Sequence, residues 1–263
     1  MSNDNIEYKD LNITNDNFIE LINNGFIKLK NDILRINNEN YIFKNYLNPY
    51  PYINNLIISY DSQYIKKIII KQQPFTYINT LIINNLKHLK ELYVRELDLK
   101  RIKIIGKSNL KILDCSHNNL KKLNINNLIK LKSLNCSYNK INKLKRINKL
   151  INLIRIDCSN NKIFKLNINN LKKLEEIYCD DNKLLEFNIN QSNNLISISC
   201  RNNQLQILNI INLINLKILD CEKNNINIII KPNNNINVIK DNKTISISQK
   251  EYEEYLKIKD IFL

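Results

Sequence analysis

Six cysteines, Cys115, Cys136, Cys158, Cys179, Cys200 and Cys221, are the residues of this chain best suited to chemistry, and they are spaced 21, 22, 21, 21 and 21 residues apart. Thiolates bind zinc when two lie two to four residues apart and a second pair, or histidines, complete the tetrahedron. No such pair exists here, and His88 and His117 are the only imidazoles. A row of stacked thiols could trap a soft metal or oxidise in adjacent pairs. We favour a role as small buried hydrophobes, since unpaired cysteine is among the most often buried residue types. A nucleophilic thiol would need to lie outside the periodic set, and none does. Gly25 and Gly106 are the only glycines, too few for a phosphate loop, and neither His-Glu-x-x-His nor Gly-x-Ser-x-Gly occurs. Paired acids such as Glu175-Glu176 and Asp180-Asp181 read as solvated surface. The sequence predicts no enzyme activity, no cofactor and no metal site.

The elements that must carry the cysteines follow from the period. Aligned on them, the unit reads Leu-x-x-Leu-x-Cys-x-x-Asn-x-Leu-x-x-Leu-x-Ile-x-x-Leu-x-x. Its clearest copy is Leu110–Lys130, and further copies begin at Leu131, Leu153, Leu174, Leu195 and Leu216; the second has one extra residue near Lys145-Arg146. A fixed period of this length marks a stacked repeat whose units bury apolar faces only against their neighbours. Leu-x-Cys and Leu-x-Ile alternate with period two, which suits short strands with every second side chain turned inward. Asn118, Asn139, Asn161, Asn182, Asn203 and Asn224 hold one position in all six copies, where an inward amide can satisfy backbone groups at a bend.

These motifs resemble the leucine-rich repeat family, with cysteine at the third leucine position and the short 21-residue unit with a nested half-repeat. The resemblance implies a repeat solenoid: a thin, curved parallel β-solenoid with an asparagine ladder, cysteines stacked beside it, and short α/β caps at both ends. It also implies a binding role. Upstream, apolar-x-x-apolar-x-apolar recurs at Ile53, Ile65, Ile78, Leu89 and Leu99 as degenerate turns. The expected organisation is an N-terminal cap over 1–52, degenerate repeats over 53–109, six regular repeats over 110–236 and a C-terminal cap over 237–263. In the first cap we expect a helix over 16–25, a strand pair (27–30 with 33–36) and a further element over 40–47. The helix could bind an adaptor, as in F-box proteins with leucine-rich repeats, although the Leu-Pro opening is absent. In the second cap, 238–239 and 245–247 are expected to form a hairpin. Ser248-Gln-Lys-Glu251 reads as a capping box opening a helix with Tyr252, Tyr255 and Leu256 on one side.

Charge then separates the faces. The chain carries a formal +15, in a composition without alanine or tryptophan that reflects an AT-rich genome. Residues 1–64 are net −3, residues 65–236 net +18 and residues 237–263 neutral. Positions three, five, seven and eight of each copy are expected to face outward along the inner sheet. That strip holds 9 of the array's 12 acids and only 4 of its 30 bases. It includes Tyr93, Arg95, Asp114, His117, Tyr138, Arg155, Asp157, Tyr178, Asp180, Arg201 and Asp220. An acidic strip with tyrosines suits another protein with a basic or polar segment. The alternative is a polyanion, nucleic acid or an anionic surface, on the lysine-rich convex side (Lys121, Lys122, Lys143, Lys145, Arg146, Lys165, Lys172, Lys173). A polar, acidic N-terminus and the lack of a long apolar run predict no membrane span and an intracellular, cytoplasmic setting with reduced thiols.

Overall fold

Period-two alternation makes each coil present one strand to a first row and, in most coils, one to a second row, with the apolar side chains between them. A computed structural model describes residues 10–13, 28–30, 33–36, 52–58, 67–70, 77–84, 86–106, 108–189, 191–232, 236–248, 250–251 and 253. They form a parallel β-solenoid in two compact units, residues 1–141 and 142–263.

In the first unit the first row runs Asp10–Ile13, Lys67–Ile70, Glu91–Tyr93, Ile112–Asp114 and Ser133–Asn135, each parallel to the next. The second row runs Ile33–Ile36, Tyr52–Ile58, Tyr77–Asn84 and Arg101–Ile105, also parallel; Lys28–Lys30 lies antiparallel on Ile33–Ile36. The upstream phrases thus alternate between rows, each supplying half a coil. Strands 10–13 and 33–36, which the sequence assigned to a cap, extend the two rows. The helix expected over 16–25 and the element over 40–47 lie outside the described residues.

In the second unit the first row is Arg155–Asp157, Glu176–Tyr178, Ser197–Ser199, Ile218–Asp220 and Asn237–Ile239. Its second row pairs Lys165–Asn167 with Glu186–Asn188, and Ile207–Asn209 with Ile228–Ile230 and Ile245–Ile247. The hairpin expected over 238–247 therefore does not form. Its two strands separate into the two rows, because each finds a parallel partner on the preceding coil. The capping box does close: Ser248 N donates to Glu251 Oε2 (2.6 Å) and Glu251 N to Ser248 Oγ (3.3 Å), ahead of helical Lys250, Glu251 and Glu253. Tyr252, Tyr255 and Leu256 lie outside the described residues. The extra residue of the second copy is absorbed where Arg146, at φ 60°, enters a 3₁₀ turn over Ile147–Lys149.

Leucine, isoleucine and cysteine of the repeat fill the interior, and all six cysteines are at most 1% exposed. The asparagines bind both ways between coils. Asn182 Nδ2 lies 3.0 Å from the Cys158 carbonyl, 3.2 Å from that of Cys179 and 3.0 Å from that of Asp180; its Oδ1 accepts from Ile163 N at 3.0 Å. Asn118, Asn139, Asn203 and Asn224 make the corresponding sets. The residue before each ladder asparagine is left-handed: His117, Tyr138, Asn160, Asp181, Asn202 and Lys223 have φ between 51° and 55°. For a residue with a Cβ this conformation costs about 1–2 kcal/mol, which the amide bonds at the same bend offset. Replacing Asn182 with Ala strands buried carbonyls and an N–H. We expect a loss of roughly 1–3 kcal/mol in urea unfolding; an unchanged midpoint would contradict this role.

Candidate recognition surface

Outward positions of the first row form two columns in each unit. In the first unit, Lys67, Glu91, Ile112 and Ser133 are register partners, as are Ile69, Tyr93, Asp114 and Asn135. Tyr93 OH donates to Glu91 Oε2 at 3.2 Å, and Lys67 lies 3.8 Å from that oxygen and 5.5 Å above the Tyr93 ring. Burial raises the Tyr93 pKa, helped by Glu91 and Asp114. Arg95 reaches Asp114 at 3.8 Å. His117 and Tyr138, both exposed, stack with centroids 4.2 Å apart and planes 10° apart.

In the second unit the columns are Arg155, Glu176, Ser197, Ile218 and Asn237, and Asp157, Tyr178, Ser199, Asp220 and Ile239. Arg155 is ion-paired with Glu176 and sits 4.8 Å over the Tyr178 ring, whose hydroxyl donates to Glu176 at 3.3 Å. Arg201 reaches Glu222 at 2.7 Å and Asp220 at 3.9 Å. Asp180 accepts from Ser199 Oγ at 2.6 Å and from Arg201 N at 2.7 Å. Its burial raises the carboxyl pKa against the lowering effect of these bonds, and Asp220 and Asp181 raise it further. Every arginine of the strip faces an acid, so part of the strip's negative charge is compensated internally.

Two features of the surface were missed from sequence. Position seven is not outward when it is serine, because Ser116, Ser137 and Ser159 are buried. The reason lies at position five. Asp114, Asn135, Asp157 and Asp220 each accept the backbone N–H two residues on, at 3.1, 3.1, 3.0 and 3.2 Å, folding the chain into an Asx turn. The repeated Asx-Cys-Ser of the first three copies carried that signal. In the second unit Asn167 and Asn209 close the turn after their second-row strands in the same way, and Asn124 of the first unit makes the same bond to the N–H two residues on.

The thiols are not joined in disulfides. Cys179 Sγ donates to the Ser199 carbonyl at 3.3 Å and Cys221 Sγ to that of Ile239 at 3.5 Å. Burial raises the pKa of Cys115, Cys179 and Cys200, with nearby aspartates and neighbouring thiols adding to it, and pushes Cys221 up to about 12. Among the described residues no three His, Cys, Asp or Glu side chains converge to hold a metal ion. No described helix is long and apolar enough to cross a membrane.

This architecture, with parallel coils of about 21 residues, an asparagine ladder and a buried cysteine row, is the leucine-rich-repeat fold. Among solved structures the chain is similar to the functional domain of InlJ from Listeria monocytogenes, which includes a cysteine ladder: 20% identity, TM-score 0.53, covering 71% of this chain and 51% of that one. It is similar too to a leucine-rich-repeat protein of Leptospira interrogans, with 25% identity, TM-score 0.53, covering 78% of this chain and 52% of that one. The chain thus spans about half the length of each. No family model and no curated protein matches it.

Two outcomes follow for the thiols. A thiol-specific reagent at pH 8 should leave the folded protein unlabelled and modify six cysteines in denaturant; native labelling at the denatured rate would contradict the buried row. The unfolded chain loses thiol protons near pH 9, whereas the folded state keeps those of Cys115, Cys179, Cys200 and Cys221. Stability should therefore hold below pH 9 and fall above it, by up to about 1.4 kcal/mol per pH unit for each such thiol. Urea unfolding between pH 8 and 10.5 checks the slope, which should flatten in Cys200→Ala.

Proposed function

We propose that this is a non-enzymatic binding protein that holds another protein, through a basic or polar segment, on the first-row face. The fold is typical of protein–protein interaction proteins; the choice of face is our own. The observation that carries it is the set of tyrosines and arginines held in place by contacts between coils: Tyr93 under Lys67, Arg155 over Tyr178, Arg201 against Asp220 and Glu222. Tyrosine and arginine dominate binding energy at interfaces, and side chains already ordered lose less entropy on binding. Asp114, Asp157, Asp180 and Asp220 supply the negative field that orients a basic segment. His117 and Tyr138 add an exposed aromatic pair. An intracellular setting, in which thiols stay reduced, belongs to the same reading.

Asn135 makes the position-five turn bond without a charge, so aspartate to asparagine at this position removes charge and leaves the turn intact. Affinity capture from native cell extract should lose its partner at least tenfold with Asp114→Asn/Asp157→Asn/Asp220→Asn. It should be unchanged with Lys121→Gln/Lys122→Gln/Lys172→Gln/Lys173→Gln. The opposite pattern, with salt-dependent retention on heparin or DNA, would replace this function with polyanion binding.

A further inference from the structure

The second-row face of the unit 142–263 carries a different chemistry. Phe164, Leu185, Ile207 and Ile245 stand outward there, 45%, 58%, 55% and 60% exposed. Contacts between coils set Phe164 next to Leu185, and place Ile207 and Ile245 at one register position two coils apart. Leu185 N donates to the Phe164 carbonyl at 2.9 Å, and Ile207, Ile228 and Ile245 are register partners on three parallel strands. Exposed Lys162, Lys165 and Lys183 flank the first two. On the described strands of this row, Glu186 is the only acid, and it is ion-paired with Lys165.

Several large apolar side chains left in water on one face mark a contact surface. Their surroundings select the partner. Protein interfaces are depleted in lysine and draw their binding energy from tyrosine, tryptophan and arginine, which describes the first row and not this face. Protruding aliphatic and phenyl groups, with lysines around Phe164 and Leu185, match a surface with an apolar interior and negative headgroups. The apolar tips pass the headgroup level, while lysine stems lie along them and the ammonium groups meet lipid charge.

We propose that this face docks the protein peripherally on an anionic lipid surface, independently of the partner held by the first row. The test is sedimentation of the full chain with phosphatidylcholine vesicles, with and without 30% phosphatidylserine. Binding should be at least tenfold stronger with phosphatidylserine. It should fall at least tenfold in Phe164→Ser/Leu185→Ser/Ile207→Ser and in Lys162→Gln/Lys165→Gln/Lys183→Gln. The triple aspartate-to-asparagine variant should bind as wild type. Thiol protection reports whether each variant is folded, and Leu185→Gln with Ile207→Gln replaces the apolar triple if that one is not. Failure of the wild-type chain to bind these vesicles would overturn the proposal, whether or not an acidic amphipathic peptide binds instead. So would full binding by the folded apolar variant, which would reduce the effect to diffuse polycation attraction.

Discussion

Everything in this fold depends on how the chain turns at the end of each first-row strand. The bend leaves carbonyls and N–H groups inside, away from water, and a buried backbone group without a partner is costly. One asparagine amide per coil answers most of that demand. Asn139 reaches the carbonyls of Cys115, Cys136 and Ser137 and accepts from Leu120 N, so a single side chain ties two coils together. A bond set that spans adjacent coils fixes the number of residues between them. The one insertion in the array sits at Arg146, outside the stretch from cysteine to asparagine, where a 3₁₀ turn takes up the slack. At the last described coil the ladder ends on other groups: Asp241 accepts from Lys223 N and Asn224 N, and Thr244 Oγ1 donates to the Ile226 carbonyl.

The cysteines occupy the next inward position before that bend, and their chemistry is suppressed by the same packing. Cysteine N–H groups continue the strand ladder, as when Cys158 N donates to the Tyr178 carbonyl at 2.8 Å. The side chain there points between two coils already drawn close by the asparagines. A thiol is short, apolar and still able to donate weakly to a carbonyl on the next coil, as Cys179 does. Removing its proton would place a charge in the dry interior, so burial holds the thiol in its neutral form. A chemically promising residue is thereby made inert by location.

Much of this was legible in the sequence because it was written six times. A period, an invariant asparagine and an alternation of leucine with cysteine are each weak in one copy, and repetition turned them into an architecture. The ends were harder to read. Val238 and Ile245–Ile247 lack both cysteine and asparagine, so they looked like a local hairpin, and only the presence of open parallel edges on the preceding coil decides otherwise. The left-handed position was only half legible, since Asn160, Asp181 and Asn202 favour that conformation by type and the other three copies do not announce it. His117, Tyr138 and Lys223 have no shared chemistry, since their conformation is imposed by the amide that follows rather than preferred by the side chain. The outward apolar residues on the second row were hidden too. Phe164 and Leu185 sit one position before Lys165 and Glu186, whereas Ile207 and Ile245 share the register of those charged residues, so no fixed spacing announces them.

Position five shows how the turn and the charge can be separated in such a repeat. The turn there needs one oxygen acceptor, and Asn135 supplies it at 3.1 Å, as Asp114 does. Where the position is serine, at Ser199, the fold manages differently: Asp180 of the preceding coil accepts from Ser199 Oγ and Arg201 N. The negative charge of Asp114, Asp157 and Asp220 is therefore surplus to the turn. Asparagine is abundant throughout this chain and would fill the same site at no cost in geometry. Carboxylates at three of these positions, two of them within 4 Å of an arginine of the same face, therefore add ion pairing among the outward side chains that the turn itself does not need.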